Sequence, residues 1–102
     1  MKLQDKINDR KVAYLFRHHP AIAFELALLY YIKGKRKNSR EKILEACRKS
    51  IYWLKKAEVE LPADLPRMSC FGQQEEIEKI LVSNKAKIDA RLATFAVAFG
   101  LA

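Results

Sequence analysis

Residues that turn a chain tightly are scarce here: 102 residues hold three glycines and three prolines. An all-β fold joined by hairpins draws on more of both, which sets that class aside. Long apolar runs are missing too. The longest, Ala21 to Ile32, is interrupted by Glu25 and falls well short of the roughly 20 residues that cross a bilayer. It predicts a core helix instead of a membrane span. The two cysteines, Cys47 and Cys70, make no metal-binding pattern. Cys47 falls on the apolar face of an expected helix, where a buried thiol is the ordinary reading, and a reducing, cytoplasmic setting is expected. The amino-terminal Met-Lys-Leu-Gln-Asp-Lys is charged and has no signal-peptide core.

Catalytic patterns are equally sparse. No phosphate-cradling glycine loop, nucleophile elbow or paired-carboxylate arrangement is present. Arg and His at the spacing that helical HEPN ribonucleases use is absent as well: Arg17 abuts His18, and Arg10 lies too far ahead of it. His18 and His19 diverge as neighbours on a helix and have no Cys or carboxylate at ligand spacing. Both are expected at a helix end as capping or solvated residues. No enzymatic activity, cofactor or metal is expected.

What the chain does have is positive charge, and it is unevenly placed. Net charge is +8, with a pI near 9.7. Residues 1–42 carry eleven Lys or Arg against four Asp or Glu, and the remaining 60 residues contribute only +1. Six of the ten residues from Lys33 to Lys42 are basic: Lys33, Lys35, Arg36, Lys37, Arg40 and Lys42. Clustered cations of this kind gain affinity for a nucleic-acid backbone by releasing its counterions. They carry no sequence information, because phosphate contacts position and base contacts specify. With Lys6, Arg10, Lys11 and Arg17 of the first helix, these residues form the candidate nucleic-acid surface; the alternatives for the run are a solvated turn whose charges aid solubility and a surface for an acidic protein.

Apolar residues recur at helical spacing throughout and predict a single all-α domain over residues 1–102, a four- to five-helix bundle. The first helix runs from Lys2 to about His18, with Leu3, Ile7, Tyr14 and Leu15 inward. Pro20 ends it and opens the second, Pro20 to Lys33, which is apolar nearly all round and so central. Gly34 is expected to stop that helix. Ser39 is the expected N-cap of the third, which reaches about Glu58 with Ile43, Cys47, Ile51 and Leu54 inward, and Arg48, Lys49, Lys55 and Lys56 mostly outward. Leu61 to Gly72 reads as a long loop, broken by Pro62 and Pro66. The last helical region, from near Gln73 to Gly100, is expected to kink or break at Ser83-Asn84, because one rod would overhang its shorter neighbours.

Several further side chains carry expectations of their own. Tyr30 and Tyr31 sit beside the basic run; packed rings are expected, with base stacking the alternative. Glu25, alone on an apolar helix, is expected to pair with a basic residue of the first helix, with a functional acid the alternative. Trp53 lies partly off the core face of its helix and is a candidate protein-interface anchor. The carboxy-terminal Leu92 to Ala102 has no charged residue, so Phe95, Val97, Phe99 and Leu101 are expected to pack against another subunit or a second copy. Leu26, Ala27, Tyr30 and Gly34, followed by Ala57 and Pro62, match parts of a tetratricopeptide hairpin, but the stretch between is too long for that repeat.

These features together lead to an expected function: a non-enzymatic, basic helical subunit of a nucleoprotein assembly, contacting nucleic-acid backbone largely without sequence specificity. The small helical subunits of RNA-guided effector complexes are one known type of such a part. The alternative is a helical adaptor or small regulator that receives an acidic protein.

Overall fold

The computed structural model describes the backbone of residues 2–98 and the side chains of residues 2–85. Over that range the fold is all-helical, with four α-helices and no strands: α1 (Leu3–Arg17), α2 (Pro20–Lys35), α3 (Arg40–Lys56) and α4 (Cys70–Ala98), with a short 3-10 turn at Leu65–Arg67. No helix among the described residues is long and apolar enough to cross a membrane.

The joint between α1 and α2 is two histidines. His18 takes the left-handed conformation at φ 50, closes α1 by donating its backbone N–H to the Tyr14 carbonyl, and stacks its ring on Tyr14 at 5.2 Å. His19 caps α2: its Nδ1 accepts the Ala21 N–H at 3.0 Å, with Pro20 in the first helical position. The expectation that these residues serve a helix end is met, and the tight joint folds α1 back along α2. Two contacts fix that antiparallel register. Lys33 Nζ donates to Gln4 Oε1 at 2.8 Å, and Arg10 stands 3.7 Å from Glu25, the partner that carboxylate needed.

Helix α2 is central, as its all-round apolarity predicts. Ile22, Leu26, Leu29 and Tyr30, spaced by four, three and one residues, pack with Ile7 of α1. Ala21, Ala23, Phe24 and Ala27 face the larger core with Ile43, Cys47, Ile51 and Leu54 of α3 and Ile77, Ile80 and Leu81 of α4. The stripe expected on α3 is thus the buried one. That on α1 is only partly so: Leu3, Ile7 and Tyr14 pack inward, but Leu15 is 71% exposed. It follows Tyr14 by one residue and so lies about 100° round the helix from the packed side.

Gly34 does not stop α2. The helix continues through Lys35, and the Arg36 and Lys37 amides close it on the Lys33 and Gly34 carbonyls at 3.2 and 3.1 Å. Gly34 instead makes room, because a Cβ there would lie 3.0 Å from the Ala46 Cβ of α3. Along the same seam Ser50, fully buried, donates its hydroxyl to the Ala27 carbonyl at 2.8 Å. A glycine inside a helix costs about 1 kcal/mol relative to alanine. Here it permits the close approach of two helix backbones.

Ser39 occupies the N-cap of α3 as expected, although its hydroxyl makes no capping bond. At the other end Glu58 adopts φ 61. Val59 N–H reaches the Leu54 carbonyl at 3.2 Å, and Glu58 N–H reaches that of Lys55 at 3.1 Å. This is a Schellman motif built without glycine. The connector beyond it is shorter than expected, since α4 starts at Cys70, and it is partly folded. Leu65 of the 3-10 turn is fully buried, and Gln73 Nε2 clasps the turn by donating to the Pro66 and Met68 carbonyls.

The expected break at Ser83-Asn84 is absent, and α4 is one helix from Cys70 to Ala98. Neither residue removes a backbone donor. Both side chains instead bond within their own helix, Ser83 Oγ and Asn84 Nδ2 donating to the Ile80 carbonyl at 3.1 and 2.8 Å. Among the described residues the α-helices number four.

Candidate nucleic-acid interface

Close packing of α2 on α3 has an electrostatic consequence. Lys42, Glu45, Ala46 and Lys49 follow each other at helical spacing along one flank of α3, the flank drawn towards Tyr30 and Lys33 of α2. With Lys37 from the connector they line a hollow of about 210 Å³. Tyr30 is almost fully buried, and the ammonium groups of three different helices stand over its ring: Lys11 at 5.5 Å, Lys49 at 5.6 Å and Lys33 at 5.9 Å from the centroid. An aromatic face holds such cations by its quadrupole, which offsets part of their mutual repulsion.

The hollow is short of negative charge. Its one lining carboxylate, Glu45, pairs with Lys49 at 3.4 Å. Lys33 carries the mark of this crowding: burial, then the charges of Lys49, Lys37 and Lys11, push its pKa below the ordinary lysine value, against a smaller opposing effect of Glu45. An arrangement of this kind can receive an anion, whose charge replaces lost solvation and relieves the repulsion.

Folding therefore divides the expected basic surface. Lys33, Lys37 and Lys42 line the hollow, and Lys11 joins them over Tyr30. Lys35, Arg36 and Arg40 of the same run are exposed and line no part of it. The Arg40 carbonyl accepts from the Cys70 thiol at 3.9 Å, which puts that residue on the α4 side of α3. On α1, Lys6, Arg10 and Arg17 fall on one stripe by their spacing, and Lys11 falls about a third of a turn away. Arg10 is engaged with Glu25. Lys49 is a functional candidate that sequence reasoning missed, since it reads from the sequence as merely outward; Tyr30 reads there only as packed or base-stacking and not as a ring beneath converging cations. The signal was available in the three- and four-residue spacing of Lys42, Glu45, Ala46 and Lys49.

Comparison of the chain with protein-family models, curated proteins and solved structures finds no match. The remaining chemistry has to be read from the side chains alone.

A second hollow, of about 490 Å³, lies on the opposite flank of α3 between Leu44, Arg48, Ile51, Tyr52, Lys55, Pro66 and Gln73. It is mostly apolar. Tyr52 is half exposed, with Lys56 5.5 Å above its ring. The Oε1 of buried Gln73 meets no donor among the described residues.

Neither Tyr30 nor Tyr31 offers an exposed ring for base stacking. Tyr31 is half-buried, and burial, with Glu78 beside its hydroxyl, raises its pKa. Trp53 is half-buried and already occupied, edge-on to Tyr14 at 5.1 Å and to Tyr52 at 5.1 Å, so it stitches α1 to α3. Phe99 and Leu101 lie outside the described residues, as do the side chains of Phe95 and Val97. An apolar stripe appears instead on α1, where Val12, Leu15 and Phe16 are exposed at spacings of three and one residues.

Both cysteines are buried free thiols. Burial, helped by neighbouring Cys70, pushes the Cys47 thiol up to about 11, so it stays protonated at neutral pH. Among the described residues no group of three or more His, Cys, Asp or Glu could hold a metal ion.

Proposed function

We propose that this chain is a non-enzymatic basic subunit of a cytoplasmic nucleoprotein assembly, contacting nucleic-acid backbone largely without sequence specificity. The small subunits of RNA-guided effector complexes exemplify such a part. The observation that carries this reading is the convergence of Lys11, Lys33 and Lys49, from three helices, on the buried ring of Tyr30. Lys37 and Lys42 lie at the same hollow. Cations brought together from distant points of the chain form a directed surface, and a backbone phosphate is the polyanion they suit. Exposed Lys35, Arg36 and Arg40 extend the positive field beyond it, and Lys6 and Arg17 extend it along α1.

An electrophoretic titration with a mixed-sequence oligonucleotide at two salt concentrations tests the reading. Binding that weakens steeply with salt is expected, whatever the sequence. No binding at low salt, or an affinity indifferent to salt, sinks it.

The adaptor reading is favoured by a different observation, the exposed Val12, Leu15 and Phe16 on α1. An apolar stripe beside basic residues suits a protein partner with an acidic rim. If Lys35, Arg36 and Lys37 changed to Glu spares oligonucleotide binding but abolishes capture of an acidic protein partner, the adaptor reading replaces the first.

A further inference from the structure

We infer that the hollow at Tyr30 is a site for the phosphorylated 5′ end of a nucleic-acid strand, best filled by a short terminal polyphosphate. The inference rests on the nucleic-acid reading above and gives this hollow a task distinct from general backbone contact. The first argument is charge. Four lysines and one glutamate line the hollow, net +3, and Lys11 adds a further cation over the same ring. An internal phosphodiester carries one negative charge and leaves most of that unmatched. A terminal monoester carries close to two, and a terminal triphosphate about twice as many.

Room is the second argument. The hollow, of about 210 Å³ and open to solvent, gives a phosphate chain room and not merely one ion. The third is the kind of cation. Every lining cation is a lysine, while Arg36 and Arg40 of the same basic run line no part of it. Lysine ammonium groups are point charges on flexible stems with three donors each. They can follow the many oxygens of a polyphosphate, where a guanidinium fork fixes one bidentate geometry.

The local contacts agree. Lys33 is held by Gln4 at 2.8 Å and Lys49 by Glu45 at 3.4 Å, so both ammonium groups are positioned, and neither partner fully neutralises the cluster. A ligand with several charges is also the one that best relieves the crowding of Lys33 by Lys49, Lys37 and Lys11.

The test uses the full chain and one oligonucleotide sequence carrying a 5′-hydroxyl, a 5′-monophosphate or a 5′-triphosphate, with inorganic tripolyphosphate as a free probe. Affinity is expected to rise in that order, with the triphosphate end at least about tenfold tighter than the hydroxyl, the scale of added charge-assisted hydrogen bonds. The pair K33Q and K49Q should lower all three affinities but the triphosphate end most, so that the three come together. The pair K35Q and R36Q should lower all three alike. Circular dichroism confirms that each variant is folded. Equal wild-type affinity for the three ends overturns the inference and leaves backbone binding standing. If no oligonucleotide binds, the nucleic-acid reading falls. Tripolyphosphate that still binds, and needs Lys33 and Lys49, then assigns the hollow to free polyphosphate.

Discussion

The two flanks of α3 hold similar residues and differ in almost every physical respect. One has Tyr30 with Lys42 and Lys49; the other has Tyr52 with Arg48 and Lys55. Tyr30 is 2% exposed and Tyr52 is 52% exposed. Three helices send an ammonium group over the first ring, whereas the cation over the second, Lys56, comes from the same helix one turn on. The Tyr52 flank opens instead on apolar Leu44, Ile51 and Pro66. Composition alone therefore does not gather cations at one point. A buried ring reached from several elements concentrates charge, and an exposed ring served by its own helix does not.

The largest expected effect breaks this contrast directly. Reversing Lys37, Lys42 and Lys49 to Glu should abolish measurable binding of a mixed-sequence oligonucleotide at low salt. Changing Arg48, Lys55 and Lys56 to Glu, the same change in charge, should weaken it by only a few fold. Removing one phosphate contact should also reduce the slope of log affinity against log salt by about 0.7–0.9. Fluorescence anisotropy across a salt series reads both quantities. Equal losses from the two flanks would show that only net charge matters.

Next in size is the seam that draws the flanks apart. A Cβ at Gly34 would meet the Ala46 Cβ at 3.0 Å, with a helix backbone behind it, so G34A should destabilise the fold by up to about 2 kcal/mol, the roughly 1–3 kcal/mol of overpacking less the roughly 1 kcal/mol gained by removing a helical glycine. It should also move Lys42 and Lys49 away from Tyr30 and reduce binding of a phosphorylated end. Gly72 is the matching control. A Cβ there meets Ser69 Oγ at the same 3.0 Å, but that is a single hydroxyl, which accepts the Gly72 N–H at 3.1 Å, and not a helix packed across a seam. Alanine in place of a helical glycine offsets the strain, and G72A should stay within about 0.5 kcal/mol of wild type. Urea denaturation of both variants decides the matter.

A smaller effect concerns pH. The Lys33 pKa is lowered from 10.5 by burial first and then by neighbouring lysines, so the folded protein releases this proton before the unfolded chain does. Between the lowered value and 10.5 the unfolded state holds more protons, and this group makes stability rise with pH. Phosphate binding moves the opposite way, because the departing proton takes a cation from the Tyr30 hollow. Affinity for a 5′-triphosphate end should therefore begin to fall at lower pH than ordinary lysines titrate, and K33Q should remove that early phase. Calorimetric titration over the alkaline range checks it. An identical pH profile in wild type and K33Q would leave Lys33 out of the site.

Much of this architecture was legible in the residues, and the failures have physical causes. Period and punctuation gave the helices, the central position of α2, the capping histidines and the Glu25 partner, since these depend on neighbours a few residues away or on one unavoidable charge. Gly34 misled because a glycine near a helix end has two uses, and only the Ala46 Cβ across the interface tells them apart. Leu15 misled because an apolar residue one place beyond a packed tyrosine can lie off the packed side. The basic run was visible, but its division was not. Helix phase separates Lys33 from Lys35 and Lys42 from Arg40 on two elements whose close approach depends on the Gly34 seam, and Arg36 and Lys37 part on the connector between them. Lys49 entered the site only because α3 turns that flank to Tyr30.

The last prediction uses the end of α3 to separate geometry from stability. Glu58 holds φ 61, a left-handed conformation that costs a non-glycine residue about 1–2 kcal/mol. Glycine removes that strain and returns part of the gain as chain entropy, so E58G should stabilise the fold by about 0.5–1 kcal/mol. The position lines neither hollow. E58G alone should therefore leave binding at both flanks unchanged while raising the denaturation midpoint. Combined with G34A, it should restore part of the lost stability but none of the lost affinity for a phosphorylated end. If the double variant recovers affinity in step with stability, the G34A defect was unfolding and not displaced lysines. The contrast between the flanks would then owe nothing to the close seam of α2 and α3.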